Sequence, residues 1–379
     1  MQPPQQPPPN VLIAGGGSGG HVAPAIAAAQ SLSGEGASVI LAHSDRKIDM
    51  EMLCDSPFDG IVLPAVPFSI NPLRFIRFCA RFLRASKKIR SIIKERNITC
   101  VLATGGFVAA PALHGARKIG CKTVLLNLDN PAGKANKLAV RWADVVLSTV
   151  ECDLLGAILI PPPLRKCVIS DSLVVACKKK FGLNPNRMTL LVTGASQGAS
   201  TINALLPELA KKNAPCFHGW EILHIAGTTH IAEVEQAWKE ANVPCKVLGF
   251  THSMGDAWGA ADLAITRGGA NTIAEIAMNA IPTIVMPYPY HEDEHQRSNA
   301  TPLERLGGVV IATDHKELAL NLDDAGSIIL QLLKEHHQRF TMRQAMLENP
   351  PINGADAIAT FCLNPQNPPK PQNPKTPYK

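Results

Sequence analysis

Short apolar runs alternate with longer stretches of helical periodicity along most of the chain. The apolar runs are rich in Val, Ile and Leu, which is typical of strands buried on both faces. Strands that alternate with helices favour parallel sheets with helical crossovers. The predicted strands are residues 10–14, 38–43, 99–103, 123–127, 145–148, 188–193, 221–225, 246–248, 263–266 and 283–286.

One order of elements, a strand, a glycine-containing loop and a helix, occurs twice. Residues 10–30 contain it with the loop GGGSGG, and residues 188–212 contain it with the loop GASQGAS. Two such openings in 379 residues predict an α/β protein with two Rossmann-like domains. We place their boundary in the Pro-rich stretch 160–165. The predicted domains cover residues 11–165 and 166–345, and a helix in 346–363 packs back toward the first domain.

Composition adds limits to this picture. Residues 1–10 and 364–379 are rich in Pro, Gln and Asn and are predicted to be disordered tails. The ten cysteines form no C-x-x-C pair, and the N-terminus lacks the basic start and apolar stretch of a secretion signal. No apolar run reaches the roughly 18–20 residues that would cross a bilayer. We therefore expect a cytoplasmic protein with reduced thiols.

The first glycine loop matches the dinucleotide fingerprint. Gly15, Gly17 and Gly20 have its spacing, and Asp45 lies where a ribose-binding acid would be expected. The pattern itself requires only a tight turn and N–H groups at a helix start that favour an anion. NAD, a turn without ligand, and a phosphate-bearing or sugar ligand are three interpretations. We favour the last, because His21 stands at the helix entrance and an NAD site needs no imidazole there.

The second glycine loop matches the nucleophile-elbow pattern of serine hydrolases. Gly194, Ser196 and Gly198 have its spacing after a strong strand, and Asp262 and His291 follow in the required order. That hypothesis does not explain the complete Rossmann unit ahead of it. We favour a loop whose N–H groups and Ser196 hydroxyl bind a phosphate.

A third motif, His291-Glu292-x-x-His295, matches the zinc-protease pattern. Zinc binding needs these residues on one helix, and the preceding prolines Pro287 and Pro289 disfavour a helix before them. No clear third ligand is present, so we expect no metal. A solvated charged loop is one alternative, and a loop that binds sugar hydroxyls is the interpretation that we favour.

Taken together, these motifs resemble the MurG family. Its members transfer N-acetylglucosamine from its UDP carrier to a muramoyl-pentapeptide pyrophosphoryl-undecaprenol lipid. The resemblance implies the GT-B fold, in which two Rossmann-like domains face each other across a cleft. It also implies transfer with inversion in one displacement, without a covalent enzyme intermediate. The likeness runs from about residue 10 to 360, in residues 15–32, 104–111, 130–139, 192–199, 267–275 and 291–300.

The resemblance implies that UDP-N-acetylglucosamine binds in the second domain. The helix start near residues 268–271 would meet the charge of the diphosphate, and Glu275 would accept ribose hydroxyls. Phe250 and Thr251 would line the uracil pocket, and Asn299 would assist at the sugar. No Asp-x-Asp motif occurs in the core, so we expect no cofactor and no obligatory metal. The implied donor-binding residues are Arg165, Ser196, Thr251, Arg267, Glu275, His295 and Gln296.

The first domain is expected to bind the acceptor. Its hydroxyl needs a general base, for which His21 is the first candidate and Asp129 the second. His21 is also a candidate for binding the acceptor pyrophosphate. The implied acceptor and phosphate loops contain Ser18, Gly19, Gly20, Gly105, Gly106 and Asn130.

The chain departs from the family pattern at three places. Residues 127–130 read Asn-Leu-Asp-Asn where members usually carry His-Glu-Gln-Asn, and three prolines replace Gly-Asn-Pro before Arg165. His295 stands in place of the first Gln of a pair, whereas Gln296 is retained. We expect the acceptor to differ in detail and the donor site to be better preserved.

Residues 72–96 combine basic and aromatic side chains at helical spacing. Such a helix suits the boundary of an anionic bilayer, with aromatic rings inserted and cations at the head groups. An ordinary crossover helix is the alternative, and nucleic-acid binding is disfavoured because no recognised module surrounds the stretch. We expect peripheral contact with the cytoplasmic face of a bacterial inner membrane. The implied contact residues are Arg74, Phe75, Arg77, Phe78, Arg81 and Phe82.

The sequence therefore predicts a glycosyltransferase of peptidoglycan synthesis. Its expected partners are UDP-N-acetylglucosamine, an undecaprenyl-pyrophosphate-linked acceptor and the membrane surface, without nucleic acid. Transfer to another lipid such as a diacylglycerol is one alternative. A UDP-N-acetylglucosamine 2-epimerase-like isomerase and a non-catalytic sugar-nucleotide binder are two others. The basic aromatic helix argues against the isomerase, which needs no lipid.

Overall fold

The computed structural model describes residues 9–54, 56–69, 71–194, 199–290 and 294–364. These residues divide into two compact α/β units. Unit 1 contains the chain up to Arg165 together with the segment that starts at Ile352, and unit 2 contains Lys166–Pro351. All ten cysteines lie in the described residues, and none forms a disulfide. No helix in these ranges is long and apolar enough to cross a membrane.

Unit 1 is built on a parallel sheet of seven strands. The strand order is β3-β2-β1-β4-β5-β6-β7, so the order reverses between β1 and β4. Every pairing is parallel. The strands are β1 (Asn10–Gly15), β2 (Ser38–His43), β3 (Asp59–Val62), β4 (Ile98–Gly105), β5 (Lys122–Asn127), β6 (Val145–Ser148) and β7 (Ile158–Leu159).

Helices cover both faces of this sheet because the central strands are apolar on both sides. One core cluster packs α3 and α4 against the sheet, and another packs α1 and α14 against it. The helix at the end of the described chain, α14, thus belongs to the fold of unit 1. The helices of unit 1 are α1 (Gly19–Gly34), α2 (Lys47–Cys54), α3 (Pro72–Glu95), α4 (Ala109–Arg117), α5 (Lys134–Ala139) and α14 (Gly354–Leu363).

Unit 2 repeats the architecture with six parallel strands in the order β10-β9-β8-β11-β12-β13. Its order reverses between β8 and β11. A doubly wound sheet places its ligand crevice outside the carboxyl ends of the strands at such a reversal. The strands are β8 (Met188–Thr193), β9 (Trp220–Ile225), β10 (Cys245–Leu248), β11 (Leu263–Thr266), β12 (Thr283–Val285) and β13 (Val309–Ile311).

The helices of unit 2 also lie on both faces of their sheet. Two core clusters fill the two sides, and the fully buried Trp220, Trp238 and Trp258 are among their largest members. The helices are α6 (Val174–Lys180), α7 (Ser200–Lys212), α8 (Ile231–Glu240), α9 (Met254–Ala260), α10 (Ala270–Asn279), α11 (His295–Leu306), α12 (Leu318–Lys334) and α13 (His336–Glu348).

The predicted fold class is confirmed, and each of the ten predicted strands is present. Three strands escaped prediction. β3 and β7 lie at or near a sheet edge and have few buried residues, so neither forms an apolar run. β13 is only three residues long. Short edge strands need little apolar surface, which removes the signal that hydrophobic patterning provides.

Candidate active site

Two glycine loops meet at the carboxyl ends of β1 and β4, where the strand order of unit 1 reverses. A Cβ atom at Gly106 would lie 1.8 Å from the carbonyl oxygen of Gly16, so the backbones touch there. Gly105 has a φ of +111°, and a Cβ at this position would lie 2.5 Å from Nδ1 of His21. Glycine is thus required at both positions by close packing and by backbone conformation.

His21 lies in the first turn of α1 and is half-buried between these loops. Its Nδ1 is 3.2 Å from the carbonyl oxygen of Thr104, and the Thr104 hydroxyl donates to the carbonyl oxygen of His21 at 2.8 Å. A carbonyl oxygen only accepts hydrogen bonds, so Nδ1 carries the hydrogen when this bond forms. The neutral ring then presents an unprotonated Nε2, which is the form that a general base requires.

The start of α1 supplies backbone N–H groups next to His21. Ser18 is the N-cap residue, with an extended backbone and no hydrogen bond from its side chain to the helix. The first N–H groups of an α-helix have no partner within the helix, so those of Gly19 and Gly20 suit an anion. The positions of Ser18, Gly19 and Gly20 are therefore compatible with the predicted phosphate loop.

A buried carboxylate that sequence reasoning missed holds the first glycine loop. Asp49 of α2 is fully buried, and its oxygens accept from the Gly17 N–H at 2.7 and 3.0 Å. It also accepts from the Ser44 N–H and hydroxyl at 3.1 and 2.5 Å. The Gly17 N–H is consequently taken by the protein itself, unlike a dinucleotide fingerprint whose amides face a pyrophosphate. Asp45, the acid expected for a ribose, is exposed.

Arg46 and Phe107 complete the surroundings of the glycine loops. The Arg46 Nη1 donates to the carbonyl oxygen of Gly17 at 2.6 Å, and its guanidinium lies 5.1 Å from the centre of the Phe107 ring. Arg46 lies in no motif that the sequence singled out, and Phe107 lies in the segment 104–111 but was given no role of its own. Only the fold brings the β2–α2 segment and the loop after β4 to the same place.

The unusual segment 127–130 follows β5 and is anchored by buried amides. The Asn127 Nδ2 donates to the carbonyl oxygen of Asp129 at 2.8 Å and to the Ser148 hydroxyl at 3.1 Å. The Asn136 Nδ2 donates to Asn127 Oδ1 at 3.0 Å. The side chains of Asp129 and Asn130 are exposed beyond this anchor. The roles of Asp129 and Asn130 in acceptor binding stay predictions.

In unit 2, the guanidinium of Arg267 is buried just after β11. Its Nη1 donates to Asp314 Oδ2 at 2.8 Å. The same nitrogen donates to the carbonyl oxygens of Met286 at 3.0 Å and Pro287 at 3.2 Å. Its Nη2 donates to the Thr201 hydroxyl at 2.7 Å. We call Arg267, Asp314 and Thr201 with these carbonyl groups the Arg267 network. Both Nη groups of Arg267 thus bond to acceptors within the protein, and the predicted contact of Arg267 with the diphosphate stays a prediction.

Gln296 joins two loops at the same edge of the sheet. Its Oε1 accepts from the N–H groups of Gly268 at 3.1 Å and Tyr288 at 2.9 Å. The Asn299 Nδ2 donates to the carbonyl oxygen of Gly268 at 3.0 Å. His295 is exposed at the first position of α11. The Gln296 oxygen thus orders backbone, and only its amide nitrogen is left for a role with a sugar.

Glu275 lies in the middle of α10 and is half-buried. Its Oε2 accepts from the indole N–H of Trp258 at 2.9 Å, which orients the carboxylate.

Thr251 accepts from the Ser253 N–H at 3.1 Å, and Phe250 is exposed beside His252. Arg165 is the last residue of the first segment of unit 1. Ser196 lies outside the described residues.

The structure argues against the serine-hydrolase interpretation. Asp262 Oδ2 accepts from the Thr189 N–H at 2.8 Å, at the amino end of β8, whereas Gly194 follows the carboxyl end of that strand. Thr189 and Gly194 are separated by roughly 17 Å at the rise of a β-strand. His291 and Glu292, the first two residues of the zinc pattern, lie outside the described residues. Within the described ranges, no cluster of three His, Cys, Asp or Glu residues is arranged to hold a metal.

The amino-terminal half of α3 exposes apolar side chains, whereas its second half enters the core through Ala85, Ile89 and Ile93. We call the exposed surface the α3 patch; Arg74 and Arg77 flank it and are exposed, and Arg81 is half-buried. Phe68, missed because it precedes the helix, packs edge-on against Phe75 and Phe78. The α3 patch consists of the exposed Phe68, Leu73, Phe75 and Ile76 and the half-buried Phe78.

Phe82, one of the predicted membrane contacts, is half-buried. Its ring lies 5.3 Å from the ring of His114 and 5.9 Å from that of Trp142, and it packs against the core of unit 1. Burial lowers the pKa of His114, with the positive charges of Lys118 and Arg90 adding to the effect. Phe82 therefore packs on the core beneath the helix and contacts the Phe78 ring at 6.0 Å, and its membrane contact stays a prediction.

Comparison with known proteins defines the class of this fold and site. The model of the glycosyltransferase family 28 N-terminal domain matches residues 11–148, and that of the family 28 C-terminal domain matches residues 189–357. The two domain models thus match the two units. The chain is a glycosyltransferase of this family.

Individual relatives identify one family within this class of glycosyltransferases. The UDP-N-acetylglucosamine–N-acetylmuramyl-(pentapeptide) pyrophosphoryl-undecaprenol N-acetylglucosamine transferase of Corynebacterium diphtheriae is 32% identical over 91% of this chain and 94% of its own length. The enzyme of the same name from Tropheryma whipplei is 32% identical over 79% of this chain and 85% of its own length. The crystal structure of Acinetobacter baumannii MurG shares the fold, with a TM-score of 0.68 at 22% identity, covering 94% and 99% of the two chains. This chain belongs to the MurG family.

Proposed function

We propose that the chain transfers N-acetylglucosamine from UDP-N-acetylglucosamine to a muramoyl-(pentapeptide) pyrophosphoryl-undecaprenol lipid during peptidoglycan synthesis. The names of its relatives and the length over which they match support this function. In the chain itself, the observation that carries the proposal is His21. Its ring is fixed by Thr104 beside an anion-binding helix start, with Nε2 left to accept a proton.

In the proposed mechanism, unit 1 binds the acceptor. The N–H groups at the start of α1 bind its pyrophosphate, with Gly105 and Gly106 shaping the loop beside them. The Nε2 of His21 removes the proton of the attacking hydroxyl as the new glycosidic bond forms. Asp129 is the second candidate for this role, and Asn130 lies beside it on the exposed end of the same segment.

Unit 2 binds the donor. As the bond to the sugar breaks, negative charge grows on the departing diphosphate. The N-terminal end of α10 stabilises this charge, and Ser196 adds a hydroxyl. Glu275 binds the ribose hydroxyls, Thr251 lines the base pocket, and His295 with the Gln296 amide nitrogen binds the sugar. Arg165 completes the donor contacts. These charges are met by the protein, so no obligatory metal is expected.

The α3 patch supplies contact with an anionic membrane surface. Exposed apolar rings next to Arg74 and Arg77 suit insertion at the level of the head groups. This arrangement supports a peripheral location at the cytoplasmic face of the inner membrane, where a lipid-linked acceptor is available.

The test is product analysis with radiolabelled UDP-N-acetylglucosamine and the lipid-linked muramoyl-peptide in anionic vesicles, with and without EDTA. We expect labelled, inverted product under both conditions. A diacylglycerol acceptor in a parallel reaction tests the alternative lipid, and a reaction without acceptor tests the isomerase. Label that reaches only the diacylglycerol, or turnover that needs no acceptor, would replace the proposed function. Loss of transfer in EDTA would refute the metal-free mechanism.

A further inference from the structure

The Arg267 network connects four segments at one edge of the sheet in unit 2. Thr201 lies in the first turn of α7, the helix after β8, and Arg267 directly follows β11. Met286 and Pro287 follow β12, and Asp314 follows β13. All four segments therefore stand at carboxyl strand ends, on the side where doubly wound sheets bind ligands.

We propose that Asp314, acting through Arg267, is a positioning residue for the donor site. The inference rests on the proposed function of unit 2 and adds a residue that contacts no substrate. The Asp314–Arg267 pair sets the relative positions of the loops after β11 and β12, and these loops carry the groups that contact the donor.

The contacts of Asp314 are specific and complete. Its Oδ2 accepts from the Thr201 hydroxyl at 2.5 Å and from Arg267 at 2.8 Å. Its Oδ1 accepts from the Lys316 N–H at 2.9 Å and the Asn321 amide at 3.0 Å. Burial by itself raises the pKa of this carboxyl, but the hydrogen bonds from Thr201, Asn321, Lys316 and Arg267 outweigh burial and lower it. Asp314 is thus an anion that neutralises Arg267 inside the protein.

The link from this pair to the donor runs through adjacent residues. Gly268 follows Arg267, and Tyr288 follows Pro287, whose carbonyl oxygen contacts Arg267. Both of these N–H groups bind the Oε1 of Gln296. The helix α10, with its N-terminal end and Glu275, starts at Ala270. Movement of the Arg267 guanidinium would therefore shift Gln296 and the start of α10 together.

The planar guanidinium suits this task because one rigid group can bond to several loops at fixed angles. A misplacement of about 1 Å in a substrate-positioning group can cost on the order of 100-fold in rate. The proposal thus gives a function to a charged pair that is buried in unit 2.

The test compares Asp314→Asn with a matched control in the same unit. Asp262 forms the control ion pair, with Lys178 at 3.2 Å, at the amino ends of β8 and β11. We expect Asp314→Asn to raise the KM for UDP-N-acetylglucosamine about 10- to 100-fold while the KM for the lipid acceptor stays unchanged. Asp262→Asn should lower the unfolding temperature but leave both KM values at the wild-type level.

A second pair of variants separates positioning from folding. Thr201→Ser keeps the hydroxyl between Arg267 and Asp314 and should retain the wild-type donor KM. Thr201→Val removes it and should raise the donor KM in the same direction as Asp314→Asn. Calorimetric titration with UDP, without acceptor, should show weaker binding by Asp314→Asn and Thr201→Val than by the wild type and Thr201→Ser.

Two results would overturn the inference while leaving the proposed function intact. One is wild-type donor KM and UDP affinity in Asp314→Asn and Thr201→Val. The other is an equal rise of donor KM in the Asp262→Asn control, which would reduce the effect to general destabilisation. Wild-type protein that neither binds nor turns over UDP-N-acetylglucosamine would instead refute the proposed function.

Discussion

The Nδ1 of His21 is held 3.2 Å from the carbonyl oxygen of Thr104, and the Thr104 hydroxyl returns a hydrogen bond to the carbonyl oxygen of His21. These reciprocal contacts join the start of α1 to the end of β4. They fix both the direction of the imidazole and the nitrogen that carries its hydrogen. The protein alone therefore orients the ring, as the proposed role in proton transfer requires.

Replacement of this imidazole tests its role directly. His21→Ala should lower kcat about 100- to 10,000-fold, the usual range for loss of a general base, with a smaller change in donor KM. His230→Ala, on the exposed surface of unit 2, is the control and should retain full activity. Steady-state kinetics with both substrates checks the prediction. Near-normal turnover of His21→Ala would remove this residue from the mechanism and direct attention to Asp129.

Gly105→Ala should displace the imidazole without changing it. The added Cβ would lie 2.5 Å from Nδ1 of His21, so the ring must move away from Thr104. Gly120→Ala is the matched control, because Gly120 also has a positive φ, of +70°, but its Cβ would meet nothing within 4 Å. Both variants should lose about 1–3 kcal/mol of unfolding free energy from backbone strain.

Only Gly105→Ala should lose activity, with a fall in kcat of about 100-fold or more. Urea denaturation and steady-state kinetics on the same preparations separate the loss of stability from the loss of activity. Equal kcat values for the two variants would contradict the view that the Thr104 contact orients the catalytic ring.

A buried histidine predicts how stability depends on pH. His224 accepts from the indole N–H of Trp238 at its Nδ1, and its Nε2 lies 3.0 Å from Asn203 Oδ1. Burial lowers the pKa of His224 to about 3. The unfolded chain, with a histidine pKa near 6.5, therefore binds a proton that the folded chain refuses. Stability should be full above about pH 6.5 and fall as the pH drops from there toward about 3.

Between pH 7 and pH 5 this single group should cost about 2 kcal/mol of unfolding free energy. Urea denaturation at the two pH values measures the loss. His224→Leu should be less stable at pH 7, because Trp238 and Asn203 lose their hydrogen-bond partner, but its stability should change less between the two pH values. An identical pH dependence in the variant would show that other groups control acid stability.

The α3 patch predicts binding to vesicles that contain anionic lipid. Arg74→Gln with Arg77→Gln should weaken binding about 30-fold, since each cation near such a surface contributes about 1 kcal/mol. Arg305→Gln with Arg343→Gln removes the same charge from exposed positions of unit 2 and is the control. Cosedimentation at low and high salt measures both. Equal losses in the two double variants would attribute binding to net charge and not to the patch.

Apolar contact with the membrane can be tested separately. Ile76→Glu places a charge in the α3 patch, and Phe340→Glu places one at a comparably exposed apolar residue of α13. We expect a loss of binding only for Ile76→Glu, because a carboxylate is repelled by anionic head groups and resists insertion. Phe82→Ala should instead destabilise unit 1, since this ring packs on Trp142 in the core.

The sequence by itself determined the two-unit architecture. Long apolar strands such as β1, β4 and β8 carry a strong pattern because they are buried on both faces, and glycine loops mark the following turns. The same loops identified His21, because a helix start after a glycine turn is a local feature of the chain. Helix α3 was predicted from the spacing of its basic and aromatic residues. The sequence did not predict that its first half is exposed and its second half lies in the core.

Only the tertiary structure decided how these residues are supported. Asp49 reaches Gly17 across 32 positions, Thr104 reaches His21 across 83, and Asp314 reaches Arg267 across 47. Such partners share no local pattern, since strand order and not chain order brings them together. For this reason the sequence presented Arg267 as a cation available to a diphosphate. The fold shows the same cation neutralised by an aspartate and bonded to the ends of its own strands.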